Sequence, residues 1–598
     1  MTNTHSFHIP VMGIGFTIDT PLKVAQYGMD SVISLVDDIL IEKVRKVHCG
    51  KFNLPYTEIT EKIEDFRAKR ITSYLNLINN LAEKKLEEFK NITSEKKDEL
   101  KEYFNMLPDS STIKEEFNKL TEHSFNLTDV KSWMKDKLSL GSIDVNIMTK
   151  VDKENYSNGE KLPNEFNDAH AALRGYANSN LASSIVLSAG MNPRLYSYIE
   201  NFNDFFPRLD GYIKKKIILK VSDYRSALIQ GKFLAKKGIW VSEFRIESGL
   251  NCGGHAFASD GTLMGPILAE FRDKREELTK EIYDILINAL KSKDKIIPKE
   301  RLSIRVSAQG GVGTSEEHDF LMEYYKIDSV GWGTPFLLVP EVTNVDEPTI
   351  QQMIRAKEDD LFLSDISPLG VPFNSLRGNT KDVERLKWIA EGIPGSPCPK
   401  KYVALDKEFE EKGLCTASRK YQYLKIKQLK EENLSAEEYT KRYNNIVIKS
   451  CTCVGLGTSV LLNHNIETKS EGTGVSACPG PNMAYFSKKA SLKEMVDHIY
   501  GRINLIERTD RPNMFINEET IYIDYLKNKI KDTKEAITTK QKRYLSSFIK
   551  NMKVSNLYYQ SMFKEVKNKF IDTKSKIIDD LERSNIILNN LNSEIDNL

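Results

Sequence analysis

Four groups of residues in this chain could do chemistry. The first is Gly249-Leu250-Asn251-Cys252-Gly253-Gly254-His255, which follows the apolar run 240–247. An imidazole titrates at about 6.5 when unperturbed, so a histidine held on a glycine turn at a strand end suits proton transfer. The plain alternative is a structural histidine. The second group is a pair of glycine turns, Gly310-Gly311 and Gly331-Trp332-Gly333-Thr334, each closing an apolar run. Such turns leave backbone N–H groups open toward an anion, and two of them side by side suit a phosphate; two ordinary tight turns are the alternative. The third group is the late cysteines Cys398, Cys415, Cys451, Cys453 and Cys478, several in loops rich in glycine and proline. Loops of this kind present thiolates to iron–sulfur clusters, because their N–H groups reach the sulfurs. Zinc is a second reading, and reduced buried thiols a third, since only Cys451-x-Cys453 is closely spaced. The fourth is the basic stretch 540–576, interleaved with Tyr544, Phe548, Tyr558, Tyr559 and Phe563. Exposed, those rings would suit nucleic acid or an acidic carrier; the expectation is instead a helical bundle with the rings as its core.

These residues need elements to hold them. The stretch Arg301 to Glu341 reads as strand, glycine turn, helix, strand and glycine turn. Thr314 is placed as the helix N-cap, with Glu317 three residues on, as a capping box requires. Ile9 to Phe16 reads as a strand, Pro21 to Gly28 as a short helix and Asp30 to Val36 as a second strand. Further strands fall near residues 144, 185, 217, 242, 304 and 328, with helical segments between them. Eight strands alternating with helices predict an α/β fold, a (β/α)8 barrel. A long Lys/Glu-rich helical insertion separates the second and third strands, and an α-helical region ends the chain. The expected divisions are 1–40 for barrel strands 1 and 2, 41–140 for the insertion and 141–380 for the rest of the barrel. A cysteine-containing segment, 381–500, and a helical tail, 501–598, follow.

Whole-chain properties exclude several classes. The 598 residues carry a net charge of +2 with 28% charged residues, so nothing pulls the whole chain toward nucleic acid or membrane. No apolar run approaches the roughly 20 residues of a membrane span. The N-terminus lacks a basic region ahead of its apolar stretch, which argues against a secretory signal. Seven cysteines in so long a chain are no disulfide framework, and a cytoplasmic location is the expectation.

The opening PVMGIG, the third-strand VNI, the GLNCGGH segment, the GGVG turn and the closing GWGTPFL fall in an order that resembles the nitronate monooxygenases and their relatives, the flavin-dependent enoyl reductases. The later LFLSDISPLGVPFNSLRGN is similar to the strand following the barrel there. The resemblance covers roughly residues 8–38, 141–340 and 360–380. It implies an FMN-binding (β/α)8 barrel with the phosphate on Gly310, Gly311, Gly333 and Thr334. It implies Met12 and Gly13 along the isoalloxazine, Asn146 hydrogen-bonding the cofactor, and His255 as the proton-transfer residue. Ser248 stands where the family has a flavin-contacting glutamine, and Asn251 where it has a glutamate. Lys220 is either a positive charge near the flavin or a solvent-facing lysine.

The expectation is therefore an FMN-dependent oxidoreductase acting on a nitronate-like carbon acid as a monooxygenase, or reducing an activated C=C bond. Its substrate would be a small molecule or a carrier-bound one. NAD(P)H or another donor would visit the flavin directly, since no second glycine-rich nucleotide fingerprint occurs. An iron–sulfur centre on the late cysteines is carried as a further expectation. A ligand-binding or assembly protein on a degenerate barrel is the reading from another class; a flavoenzyme acting on nucleic acid is a third. The oligomeric state is not legible.

Overall fold

The computed structural model describes residues 4–91, 97–122, 126–533 and 537–597. The helical expectations at 92–96, 123–125 and 534–536 lie outside the described residues.

Eight strands close into a parallel barrel: β1 (Phe7–Ile9), β2 (Asp30–Ser34), β3 (Ile143–Met148), β6 (Ser183–Ser188), β7 (Lys215–Val221), β8 (Val241–Glu247), β9 (Arg305–Gln309) and β10 (Ser329–Gly331). The intervening β4 (Tyr156–Ser157) and β5 (Glu160–Lys161) form a small hairpin outside it. Closure runs through β1, which pairs with β10 on one side and β2 on the other. The barrel strands read as apolar runs because both their faces are covered; every residue of β6 is buried. One expectation shifts. The strand placed over Ile9 to Phe16 is shorter and earlier, at Phe7–Ile9. Gly13 adopts φ 56° and Gly15 N–H donates to Leu456 O at 2.9 Å, so residues 12–16 turn across the barrel mouth.

The outer helices begin with α1 (Thr20–Val24), α2 (Asp38–Lys51) and α3 (Phe66–Lys90). The insertion is two things. Its first long helix, α3, belongs to the barrel's own core, with Ile71, Tyr74, Leu75 and Ile78 buried. Only α4 (Lys97–Met106), α5 (Thr112–Glu122) and α6 (Leu127–Lys137) stand apart, around Leu100, Tyr103, Phe104, Phe117, Val130 and Met134. The barrel's remaining helices include α7 (Asp168–Ala177), α8 (Pro193–Tyr198), α9 (Tyr224–Lys236), α10 (Met264–Ser292) and α11 (Ser315–Tyr324). Thr314 caps α11 and Glu317 completes the capping box, as the sequence predicts.

After the barrel come α12 (Glu347–Arg355) and the hairpin β11 (Leu361–Ser364) with β12 (Phe373–Leu376). Then follow α13 (Thr380–Ala390), α14 (Arg419–Lys430), α15 (Ala436–Val447), α16 (Thr452–Asn463) and α17 (Leu492–Ile499). The tail forms α18 (Met514–Thr533), α19 (Thr539–Glu565) and α20 (Lys574–Asp596). Phe548, Tyr559 and Phe563 are buried and Tyr558 is half-buried, so these rings are core, while Tyr544 is exposed. The tail's partner is α10. Gly265 N–H donates to Tyr559 Oη at 2.9 Å, and a Cβ at Gly265 would stand 2.2 Å from the Tyr559 ring, so α10 carries glycine where α19 crosses it. Among the described residues no single helix is long and apolar enough to cross a membrane.

Candidate active site

The C-terminal ends of the barrel strands open on one cavity of about 210 Å³. Catalytic groups of this architecture lie at that face. Met12, Gly13, Asn146, Lys220, His255, Gly310, Gly311, Gly333 and Thr334 all line it; Ser248 does not.

His255 follows β8 and is fixed from two sides. Its Nε2 lies 2.7 Å from Ser367 Oγ, and its ring meets Phe373 edge-on at 4.9 Å between centroids. Its backbone forms an isolated antiparallel bridge with Phe373, so the β11–β12 hairpin positions the imidazole. Burial, with a smaller push from Lys220, lowers its pKa to about 4, so the ring is neutral at pH 7. Lys220, near the end of β7, forms a 2.7 Å ion pair with Glu247, the last residue of β8. Gln309, ending β9, donates to the other Glu247 oxygen at 2.6 Å. The Lys220 charge is therefore balanced rather than free. Deeper in the barrel, Arg245 donates to Glu243 at 2.7 Å and 3.0 Å. Burial opposes ionisation of Glu243, but Arg245 and Arg305 overcome it and hold the carboxyl down to about 2. Asn146 turns along the wall, donating to Val186 O at 3.2 Å and Ser188 Oγ at 3.1 Å.

Gly310 and Gly311 take φ 113° and 82°, conformations that L side chains avoid. A Cβ on Gly311 would fall 2.1 Å from Asn251 Nδ2. Thr334 Oγ1 accepts from Gly480 N–H at 3.0 Å, which brings the segment after α16 onto the second glycine turn. The expected flavin contact at Ser248 is corrected: its hydroxyl donates to Glu518 Oε1 of α18 at 2.6 Å. Asn251 is held similarly, donating to Met514 O at 3.2 Å and accepting from Asn517 Nδ2 at 3.0 Å. Side chains this short leave room for α18 to dock, and they face it. Cys252 lines the cavity, and burial pushes its thiol well above its ordinary range, so it is neutral.

The late cysteines separate. Cys478 sits at the mouth beside the turn before His255, its carbonyl accepting from Gly254 N–H at 3.1 Å. Of the other four, only Cys453 reaches the cavity wall. Among the described residues no group of three or more His, Cys, Asp or Glu side chains is set to hold a single metal ion.

Sequence reasoning missed Ser367, Glu247, Gln309 and the covering residues Pro368, Leu369, Thr452 and Leu456. Glu247 and Gln309 had a readable signal, a polar residue ending an otherwise apolar barrel strand. The covering residues lie in loops without periodicity and gave none.

No family model matches the chain, and no curated protein matches it. Among solved structures it is similar to FabK from Thermotoga maritima, at 13% identity and TM-score 0.30 over 63% of this chain and 79% of that one. It is also similar to the enoyl reductase domain of MlnA from the macrolactin biosynthesis cluster of Bacillus amyloliquefaciens, at 15% identity and TM-score 0.32 over 67% and 86%. A third is the nitroalkane oxidase of Streptomyces ansochromogenes, at 10% identity and TM-score 0.35 over 83% and 96%. The barrel itself is defined by its own closed strand order.

Proposed function

We propose that this chain is an FMN-dependent oxidoreductase in which His255 takes a proton from an acidic substrate carbon. The observation that carries the reading is convergence: the glycine turns ending β9 and β10 open on the same cavity as His255. The residues present fit the cofactor. Gly310 and Gly311 hold backbone conformations that only glycine adopts easily, which lets main chain approach a phosphate closely. Gly333 and Thr334 would complete that seat, and Met12, Gly13, Asn146 and Lys220 would flank the ring system. When bound, FMN supplies two-electron redox chemistry.

The protein's own part is proton handling. In the tautomer whose Nε2–H donates to Ser367 Oγ, Nδ1 carries the lone pair that accepts the proton. A ring that stays neutral at pH 7 is an acceptor, which supports oxidation of a nitronate-like carbon acid over reduction of a C=C bond, where the same ring would donate.

The test is the absorption spectrum of anaerobically purified protein, before and after dithionite. Two flavin bands that bleach are expected. A colourless protein that takes up no added FMN would overturn the proposal and favour a binding or assembly role.

A further inference from the structure

The glycine turn after β9 is built by the barrel but held from outside it. Its three successive carbonyls each accept a hydrogen bond from a side chain that follows α16. Gly311 O accepts from Arg511 Nη2 at 2.9 Å, Val312 O from Asn482 Nδ2 at 2.7 Å, and Gly313 O from His498 Nε2 at 2.9 Å. The other His498 nitrogen accepts from Leu505 N–H at 3.2 Å, which leaves the proton on Nε2. Arg511 Nε also donates to Asn482 Oδ1 at 2.8 Å, so two of the three donors are fixed to each other. Gly313 is glycine because a Cβ there would stand 2.5 Å from Arg511 Nη2 and 2.6 Å from Asn482 Nδ2.

These donors decide which N–H groups of the turn remain open. The Gly313 and Thr314 N–H groups donate to Glu317 Oε2, at 2.9 Å and 3.3 Å. The Val312–Gly313 and Gly313–Thr314 peptides are therefore pinned at both ends. Among the described residues no protein acceptor meets the N–H of Gly310, Gly311 or Val312, and all three residues line the cavity. Successive open N–H groups form a concavity that suits an anion, and open N–H groups in a covered site are rare. In a planar trans peptide the N–H points away from the carbonyl. By drawing the Gly311 carbonyl toward α11, Arg511 turns the Val312 N–H the opposite way. Arg511 also neutralises Glu317, donating to its two oxygens at 2.8 Å and 2.9 Å. Unpaired, that buried carboxylate would repel an anion seated on the turn.

The second glycine turn is reached by the same outside segment. Asn482 lies in the short turn Pro481–Tyr485, just after Gly480, whose N–H donates to Thr334 Oγ1 at 3.0 Å. That bond uses an oxygen lone pair and leaves the Thr334 hydroxyl proton free to donate. We propose that Asn482, His498 and Arg511 are positioning residues for a phosphate monoester, holding the turn after β9 in the shape that leaves its N–H groups open to the phosphate. The inference rests on the FMN reading and deepens it: segments that follow the barrel, and not the barrel alone, set the preference for the phosphorylated cofactor.

The test compares FMN with riboflavin, which lacks only the phosphate, by equilibrium dialysis against the full chain. The unsubstituted protein should bind FMN on the order of 100-fold tighter than riboflavin. Asn482→Ala and Arg511→Lys should each weaken FMN about tenfold and leave riboflavin binding unchanged, so the preference itself falls. Arg511→Lys keeps the charge yet cannot reach Gly311, Asn482 and Glu317 together. Arg508→Ala is the control: that arginine pairs with Glu358 at 2.7 Å and Asp510 at 2.6 Å, and its loss should alter neither constant. Thermal melting accompanies each variant. Asn482→Ala, which spares the Arg511–Glu317 pair, carries the test if Arg511→Lys fails to fold. Folded variants that weaken both flavins equally, or neither, would overturn the positioning role and leave the FMN reading standing. An unsubstituted chain that takes up neither flavin would overturn both.

Discussion

His255 is held between a hydroxyl and an aromatic edge, and burial keeps its ring neutral across the physiological range. Removing it as His255→Ala should lower turnover by about 10²–10⁴-fold, the usual contribution of a positioned base, while bound flavin is retained. Equal turnover in the two proteins would remove the base role. The direction of the pKa shift fixes the pH profile. Because the ring loses its proton at about 4 rather than 6.5, the acid limb of kcat/KM should fall nearer pH 4 than pH 6.5. An acid limb at the ordinary histidine value would assign proton transfer elsewhere. Gly311 is the second informative residue. At φ 82°, with Asn251 Nδ2 2.1 Å from the place of a Cβ, Gly311→Ala should cost on the order of 1–3 kcal/mol of stability and weaken FMN retention. Urea unfolding and equilibrium dialysis against FMN measure the two effects separately.

Between residue and molecule, α18 decides how the barrel mouth is closed. Glu518 is buried there among neutral donors: the Ser248 hydroxyl, the Met264 N–H at 3.0 Å and the Tyr559 hydroxyl at 3.2 Å. Burial raises its pKa to about 7, and that of the adjacent Glu519 to about 7 as well. A carboxyl whose pKa is raised on folding binds more protons folded than unfolded between 4.5 and about 7, so its contribution to stability declines as pH rises through that window. The docking of α18 should therefore loosen as pH rises from 4.5 to about 7, seen as amide exchange in 514–533 that quickens by more than its intrinsic pH dependence. Glu518→Gln keeps an acceptor and adds a donor, and should remove most of Glu518's share of that dependence. Unchanged exchange across this range would contradict the assignment. The barrel strands were legible because two-sided burial writes each as an apolar run, and the α11 capping box was legible because its chemistry is local. The docking of α18 was not, because Ser248 and Asn251 look like losses until the helix that meets them is in view.

At the scale of the whole molecule, one continuous core joins the barrel, α3, the covering loops and the tail. The tail is thus part of the barrel's own body. A chain ending at residue 512 would uncover Leu263, Met264, Phe320 and Tyr325 along with the polar pair Ser248 and Asn251, all now buried. Exposed apolar patches of more than a few hundred Å² drive association, so this truncation should aggregate or unfold rather than give a monodisperse barrel. Size-exclusion chromatography with thermal melting decides it; a monomeric, cooperatively melting product would show that the barrel stands alone. The helical character of 501–598 was evident from sequence, but its partner was not, because an amphipathic face records that it is covered without recording by what.

The pairing of β1 with β10 also sets a clock on synthesis. Phe7 has no strand partner on one side until Val330 is made. At roughly 5–20 residues per second, the ribosome needs on the order of 15–65 s to bridge that distance, and the first strand waits through all of it with one edge open.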